Sequence, residues 1–99
     1  MAKKYSVIVE ERAYNDLRNI FVYIAQDSLL IAEHLHNELL EQMRSLEQFP
    51  ERNQVIMIVR EHEIRHIVFK RGFRILYTVS GKEVHILHCL RSEQDFTNI

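Results

Sequence analysis

At 99 residues the chain has room for one hydrophobic core and not two, since each half would fall below the size at which domains fold unaided. With 46% hydrophobic and 27% charged residues it lies far from the composition of disordered chains, and a net charge of -1 excludes a protein that depends on blanket attraction to nucleic acid. A single cysteine, Cys89, excludes an internal disulfide, and the apolar stretch at residues 29–32 stops at Glu33, with no apolar run in the chain near the roughly 20 residues a membrane span needs. No basic start followed by an apolar run opens the chain, so a soluble, cytoplasmic protein with no membrane partner is expected.

Tyr5, Val7 and Val9 alternate with Lys4, Ser6 and Ile8, the pattern of a short first strand. From Glu11 the period changes. Ala13, Leu17, Ile20, Phe21 and Ile24 recur three or four apart and line one face of a helix running to about Gln26. Asp27 and Ser28 are good N-cap residues, and after them Ala32, Leu35, Leu39, Met43, Leu46 and Phe49 keep helical spacing until Pro50. So short a connection makes the two helices an antiparallel hairpin.

Beyond Pro50 the residues turn β-branched and aromatic, and 54–59, 64–70, 73–79 and 83–90 each have strand length. Arg71 with Gly72, and Ser80 with Gly81, supply tight turns between the last three strands, which form a meander. The expected fold is α+β in one domain, β-α-α-β-β-β(-β), with the hairpin covering one face of a mostly antiparallel twisted sheet. Residues 91–99 read as a polar tail.

Charge is uneven along the chain. Residues 1–50 carry five Lys/Arg against eight Asp/Glu, and residues 51–99 carry eight against six, so any anion-binding face belongs to the second half. A normally solvated mixed surface accounts for the asymmetry equally well.

His62 to His66 spell H-E-x-x-H, which on a helix would set two imidazoles on one face for zinc and a glutamate beside them to activate water. Ile67, Val68 and Phe69 favour a strand instead, where histidines four apart are separated by about 13 Å at about 3.3 Å per residue. Arg65 would also place a permanent cation beside the metal. A zinc protease is thus a remote alternative, and no metal or cofactor is expected. His34 and His36, two apart on a helix, are expected at the surface. Alternation puts His85 and His88 on opposite faces of the last strand, with His88 beside Val84, Ile86 and Leu90. Cys89, flanked by apolar residues, reads as a buried inert thiol rather than a nucleophile.

Taken in order, YSVIVEERAYNDLRNIFVYI, then LEQFP, then IRHIVFKRGFRILYTVSGKEVHILHCLR resemble the RelE/ParE superfamily of toxins from type II toxin–antitoxin modules. The match carries over Arg65, Arg74, Tyr77, His88 and Arg91. The resemblance implies a plasmid-stabilisation type toxin that arrests growth and is silenced by a cognate antitoxin wrapped over hairpin and sheet. It also implies one of two targets: DNA gyrase, as for ParE-like poisons, or mRNA on the ribosome, as for RelE-like endoribonucleases.

From the residues alone, Arg65, Arg74 and Arg91 lie on successive strands. They either gather into one concave phosphate-binding patch or stand apart as ordinary ion pairs with Glu63, Glu83 or Glu93. Tyr77 alternates with Arg74 and is expected in the core. A nuclease would use His88 as acid or base, Arg65 and Arg91 to stabilise charge, and Glu51 or Glu63 to accept the hydroxyl proton. Phe96 stands where the resemblance places a catalytic tyrosine and has no proton to give. That, with the near-neutral charge, favours the gyrase poison over the nuclease. A homodimer and a toxin–antitoxin hetero-oligomer both suit the hairpin.

Overall fold

A computed structural model describes residues 4–69 and 72–91. The elements follow in the order β1 (Ser6–Val9), α1 (Glu11–Ala25), α2 (Leu29–Arg44), β2 (Val55–Val59), β3 (His62–Phe69), β4 (Phe73–Ser80) and β5 (Glu83–Arg91). Two short 3-10 turns, Ser45–Glu47 and Pro50–Arg52, carry the chain from α2 to β2. The sheet has the order β1-β5-β4-β3-β2, antiparallel throughout except for the parallel pairing of β1 with β5. No helix among the described residues is long and apolar enough to cross a membrane.

The hairpin forms as the spacing predicts. Ser28 caps α2, its hydroxyl accepting the Ile31 N–H at 3.2 Å and so satisfying one of the donors a helix start leaves without a partner. Ala13 and Leu17 of α1 and Leu35, Leu39 and Met43 of α2 pack against Ile67, Phe69, Phe73, Ile75, Tyr77, Val84, Ile86 and Cys89 on one face of the sheet. Burying each Leu or Ile there contributes about 1.5–3 kcal/mol. A second, smaller cluster occupies the other face, where Ile64, Leu76 and Leu90 are buried against Ile56, Met57, Val59 and Leu87.

Four expectations are corrected. Helix α2 does not run to Pro50: it stops at Arg44, and the Arg52 guanidinium closes the turn by donating to the Gln48 carbonyl at 2.6 Å and to Ser45 Oγ at 2.9 Å. Phe49 thereby leaves the apolar face for a left-handed conformation, φ +50°, and is 65% exposed. His36 is not a surface residue. It is half-buried between the helices, with its ring edge-on to Phe21 at 5.7 Å. Finally, β5 does not alternate evenly: Leu76 faces His88 while the next residue, Tyr77, faces Ile86, so Leu87 is an extra residue in β5. His85 faces Thr78 and His88 faces Leu76, which puts both histidines on the same face, away from Val84 and Ile86.

The turns divide by chemistry. Gly72 and Gly81 have φ of +79° and +60°, as their places between strands require; Arg71 lies outside the described residues. Between β2 and β3, Arg60 and Glu61 both hold positive φ, +49° and +70°, in a two-residue turn that favours Asn and Gly. A left-handed residue with a Cβ costs about 1–2 kcal/mol, so Glu61→Gly should stabilise the protein by about 0.5–1 kcal/mol once the extra freedom of the unfolded glycine is deducted. Thermal unfolding followed by circular dichroism should move up by about 2–8 °C. An unchanged or lower midpoint would show that the turn is not strained.

Candidate functional site

β1 ends at Val9, opposite Ile86, and the chain then enters α1, leaving the last part of β5 without a strand on that side. α1 supplies what is missing. Asp16, next to the buried Leu17, accepts the Cys89 backbone N–H at 3.0 Å and lies 3.0 Å from His88 Nδ1 through the same oxygen, Oδ2. With Asp16 ionised, the imidazole donates from Nδ1. The bulge at Leu87 immediately precedes the two residues that share this carboxylate. Cys89 itself is buried beside that carboxylate, and burial first, then the negative charge of Asp16, push its thiol up to about 12, so it is not a nucleophile.

Next to this anchor, a cleft of about 330 Å³ opens between α1 and the ends of β4 and β5, lined by Asp16, Asn19, Tyr23, Phe73, Cys89 and Arg91 among others. The Arg91 guanidinium lies 5.4 Å from the Tyr23 ring centroid, a cation–π contact with the outer side of α1. A second hollow of about 340 Å³ lies on the opposite face, floored by Val59, Ile64 and Leu87 and edged by His62, Thr78 and His85.

His85 is held between two carboxylates, with Nδ1 2.6 Å from Glu10 and Nε2 3.1 Å from Glu83. The Glu10 hydrogen bond raises its pKa, burial acts against it, and Glu83 adds to it. His66 moves the other way. Burial and then the Arg74 cation hold its pKa below the usual imidazole value.

Arg65 has become a clamp. Its Nη1 donates to the Asn53 carbonyl at 2.6 Å and to the Glu51 carbonyl at 3.0 Å, and Nη2 lies 3.3 Å from Glu63. Those bonds fix the segment leading into β2 over Tyr77, whose fully buried hydroxyl donates to the Pro50 carbonyl at 2.5 Å and accepts from Asn53 Nδ2 at 3.0 Å. Tyr77 is a core residue, as alternation predicts, and burial raises its pKa.

The cations named from the sequence are not gathered into one patch. Arg65 pairs across with Tyr77 and Arg91 with Phe73, both on the helix-covered face, whereas Arg74 pairs with Val68 and Leu90 on the other. Arg65 takes the ion-pair course, with Glu63. His88 shares its face with Arg74, not with Arg65 or Arg91. His62 and His66 lie on strand β3, so the helical geometry of a zinc H-E-x-x-H is absent, and no group of three or more His, Cys, Asp or Glu among the described residues converges as a metal site. Phe96 and the tail beyond Arg91 lie outside the described residues.

Compared with known protein families, residues 7–96 match the model of the ParE toxin of the type II toxin–antitoxin system parDE. The chain belongs to the ParE toxin family. It is the toxin component of a type II module within the RelE/ParE superfamily. Among solved structures, it resembles a chain of the chromosomal ParDE system from P. aeruginosa, with a TM-score of 0.76 and 24% identity over 93% of this chain and 100% of that one. It also resembles a chain of the toxin–antitoxin complex RelBE2 from Mycobacterium tuberculosis, with a TM-score of 0.61 and 18% identity over 89% and 91% of the two chains. At these identities the likeness is one of fold. No curated protein matches the sequence.

Two outcomes follow for the anchor and for His85. Asp16→Ala leaves the Cys89 N–H and the His88 ring without their acceptor, which should cost about 1–3 kcal/mol and lower the unfolding midpoint, whereas Asp16→Asn, which keeps an oxygen, should cost less. Equal midpoints for the wild type and the alanine variant would remove Asp16 from this role. Because the His85 pKa is raised on folding, its contribution is fully present below the unfolded value of 6.5 and fades as pH rises through the folded value. The stability gap between wild type and His85→Gln should therefore be wider at pH 5.5 than at pH 8.5 in urea titrations. A gap that widens toward high pH would contradict this.

Proposed function

We propose that this toxin arrests growth in the cytoplasm by inhibiting DNA gyrase and is held silent by a cognate antitoxin bound to the hairpin and sheet. The family match over nearly the whole chain supports this reading. What favours gyrase over mRNA cleavage is the placement of the cations. Attack of a 2′-hydroxyl on the neighbouring phosphate needs a base, an acid and cations around one phosphoryl group. Here Arg65 is committed to backbone carbonyls and Glu63, Arg91 lies over Tyr23, and Arg74 with His88 occupies the other side of the sheet. A net charge of -1 adds little counterion release on RNA. Inhibition of gyrase by surface contact needs none of these groups to converge.

Expression of the chain without its antitoxin should stop growth with DNA breaks and a damage response, and the purified protein should inhibit gyrase supercoiling of a relaxed plasmid. His88→Asn, which keeps a donor for Asp16, and Arg91→Ala should leave the arrest in place. Transcripts cut within translated codons, with toxicity abolished by either substitution, would replace this reading with a ribosome-dependent nuclease.

A further inference from the structure

The sheet ends at β2, and among the described residues no strand lies beyond it. An edge strand offers a row of backbone N–H and C=O groups to any second strand, and proteins ordinarily guard such edges with lysine, proline or an inward charge. β2 has none of these three: residues 53–59, Asn-Gln-Val-Ile-Met-Ile-Val, carry no charge and no proline, and its one guarding device is a bulge at Ile56, which leaves Met57 to Val59 regular. Within that regular stretch Ile58 is 67% exposed, while its neighbours Met57 and Val59 belong to the apolar cluster on the other face with Ile64, Leu76 and Leu90.

We propose that β2 pairs antiparallel with β2 of a second copy of this chain, about a two-fold axis at Ile58, so that two five-stranded sheets become one. The register follows from which side chains share a face. With the axis at Ile58, each Ile58 meets its own counterpart and Met57 meets Val59, both from the same apolar cluster. An axis at Met57 would instead oppose Ile58 with Ile56, which packs on the cluster that Ile58 turns away from. Charges allow the pairing. The only ones brought to the seam are Arg60 and Glu61 of the turn, which fall opposite Ile56 and Val55, so no like charges meet. A two-fold contact of this kind is self-complementary and closes at two copies, and each copy covers the exposed isoleucine of the other.

Disulfide trapping tests the axis directly, because residues facing each other across an antiparallel pair lie about 4.5–5.5 Å apart at Cα, within disulfide reach. The full chain, made by cell-free translation from a linear template so that toxicity is irrelevant, would carry either Ile58→Cys or Val68→Cys. Val68 is also 67% exposed but sits on β3, an inner strand. The buried Cys89 serves as the shared background thiol. Under mild oxidation the Ile58→Cys chain should give at least about tenfold more covalent dimer than Val68→Cys, as expected when two thiols are held at high effective concentration. Equal or negligible cross-linking in the two would overturn the proposal. Sedimentation supplies an independent reading: the wild type should shift from monomer to dimer with concentration and Ile58→Lys should stay monomeric. A wild type that remains monomeric throughout would also overturn it, and would leave the edge to an extended segment of another protein.

Discussion

β1 is four residues long and β5 is nine, so the parallel pair that opens the sheet runs out at Val9 and Ile86 while β5 continues to Arg91. The backbone of that continuation must find partners elsewhere, because a half-buried N–H without an acceptor costs as much as a lost hydrogen bond. A single carboxylate on α1 meets the need, with Asp16 holding the Cys89 N–H and the His88 ring together. The consequence reaches both layers. Asp16 ties α1 to β5, and α1 and α2, with Leu46 of the turn after α2, cover the larger apolar cluster.

The same geometry decides what the histidines and arginines do. One extra residue at Leu87 reverses the alternation of β5, moving His88 from the helix-covered face to the open one while returning Cys89 and Arg91 to the covered face. His88 then takes Asp16, and Arg91 takes Tyr23. At the far end of the sheet, Arg65 does for the entry to β2 what Asp16 does for the end of β5: a charged side chain satisfies backbone groups that no strand reaches. Charge-assisted bonds of this kind are stronger than neutral ones and hold their groups in one geometry. Groups bound so tightly inside the fold are poorly placed to move protons on a substrate.

Much of this fold could be read from spacing alone. The apolar stripes of α1 and α2, the cap at Ser28 and the alternation that buries Tyr77 all follow from periods of 3.6 and 2, which reflect local backbone geometry. The features that escaped depend on contacts distant in sequence. Nothing in EVHILHCLR announces that Leu87 is an extra residue, because the bulge is defined by its pairing with β4 and rewarded by Asp16, more than seventy positions earlier. Phe49 fits the helical stripe, but Pro50 disfavours helical backbone at the residue before it, and the bonds of Arg52 to Gln48 and Ser45 hold the chain in a turn short of it. Arg60 and Glu61 are poor turn formers, tolerated because β2 and β3 on either side bury Ile64 and Val59 together. For the arginines, strand order was legible but side-chain commitment was not: Arg65 reads identically whether it meets a phosphate or the carbonyl of Asn53.

The division of the sheet into a covered and an open face also bears on how a small toxin can act by contact. Below about 100 residues the core that can be built is modest, and here it is split in two, with the larger part under the hairpin and the smaller one around Leu76 on a face that no helix among the described residues covers. Leu76 is nonetheless fully buried, and Ile56, Met57 and Val59 from the edge strand β2 pack on its cluster. The edge strand is therefore part of the core. Its outer backbone stays open to a partner, while Ile56, Met57 and Val59 cannot be made polar without weakening the smaller cluster. That conflict explains why those three positions carry none of the charges that usually guard an edge; Ile58, 67% exposed and outside the cluster, is the one position between them that the cluster does not constrain.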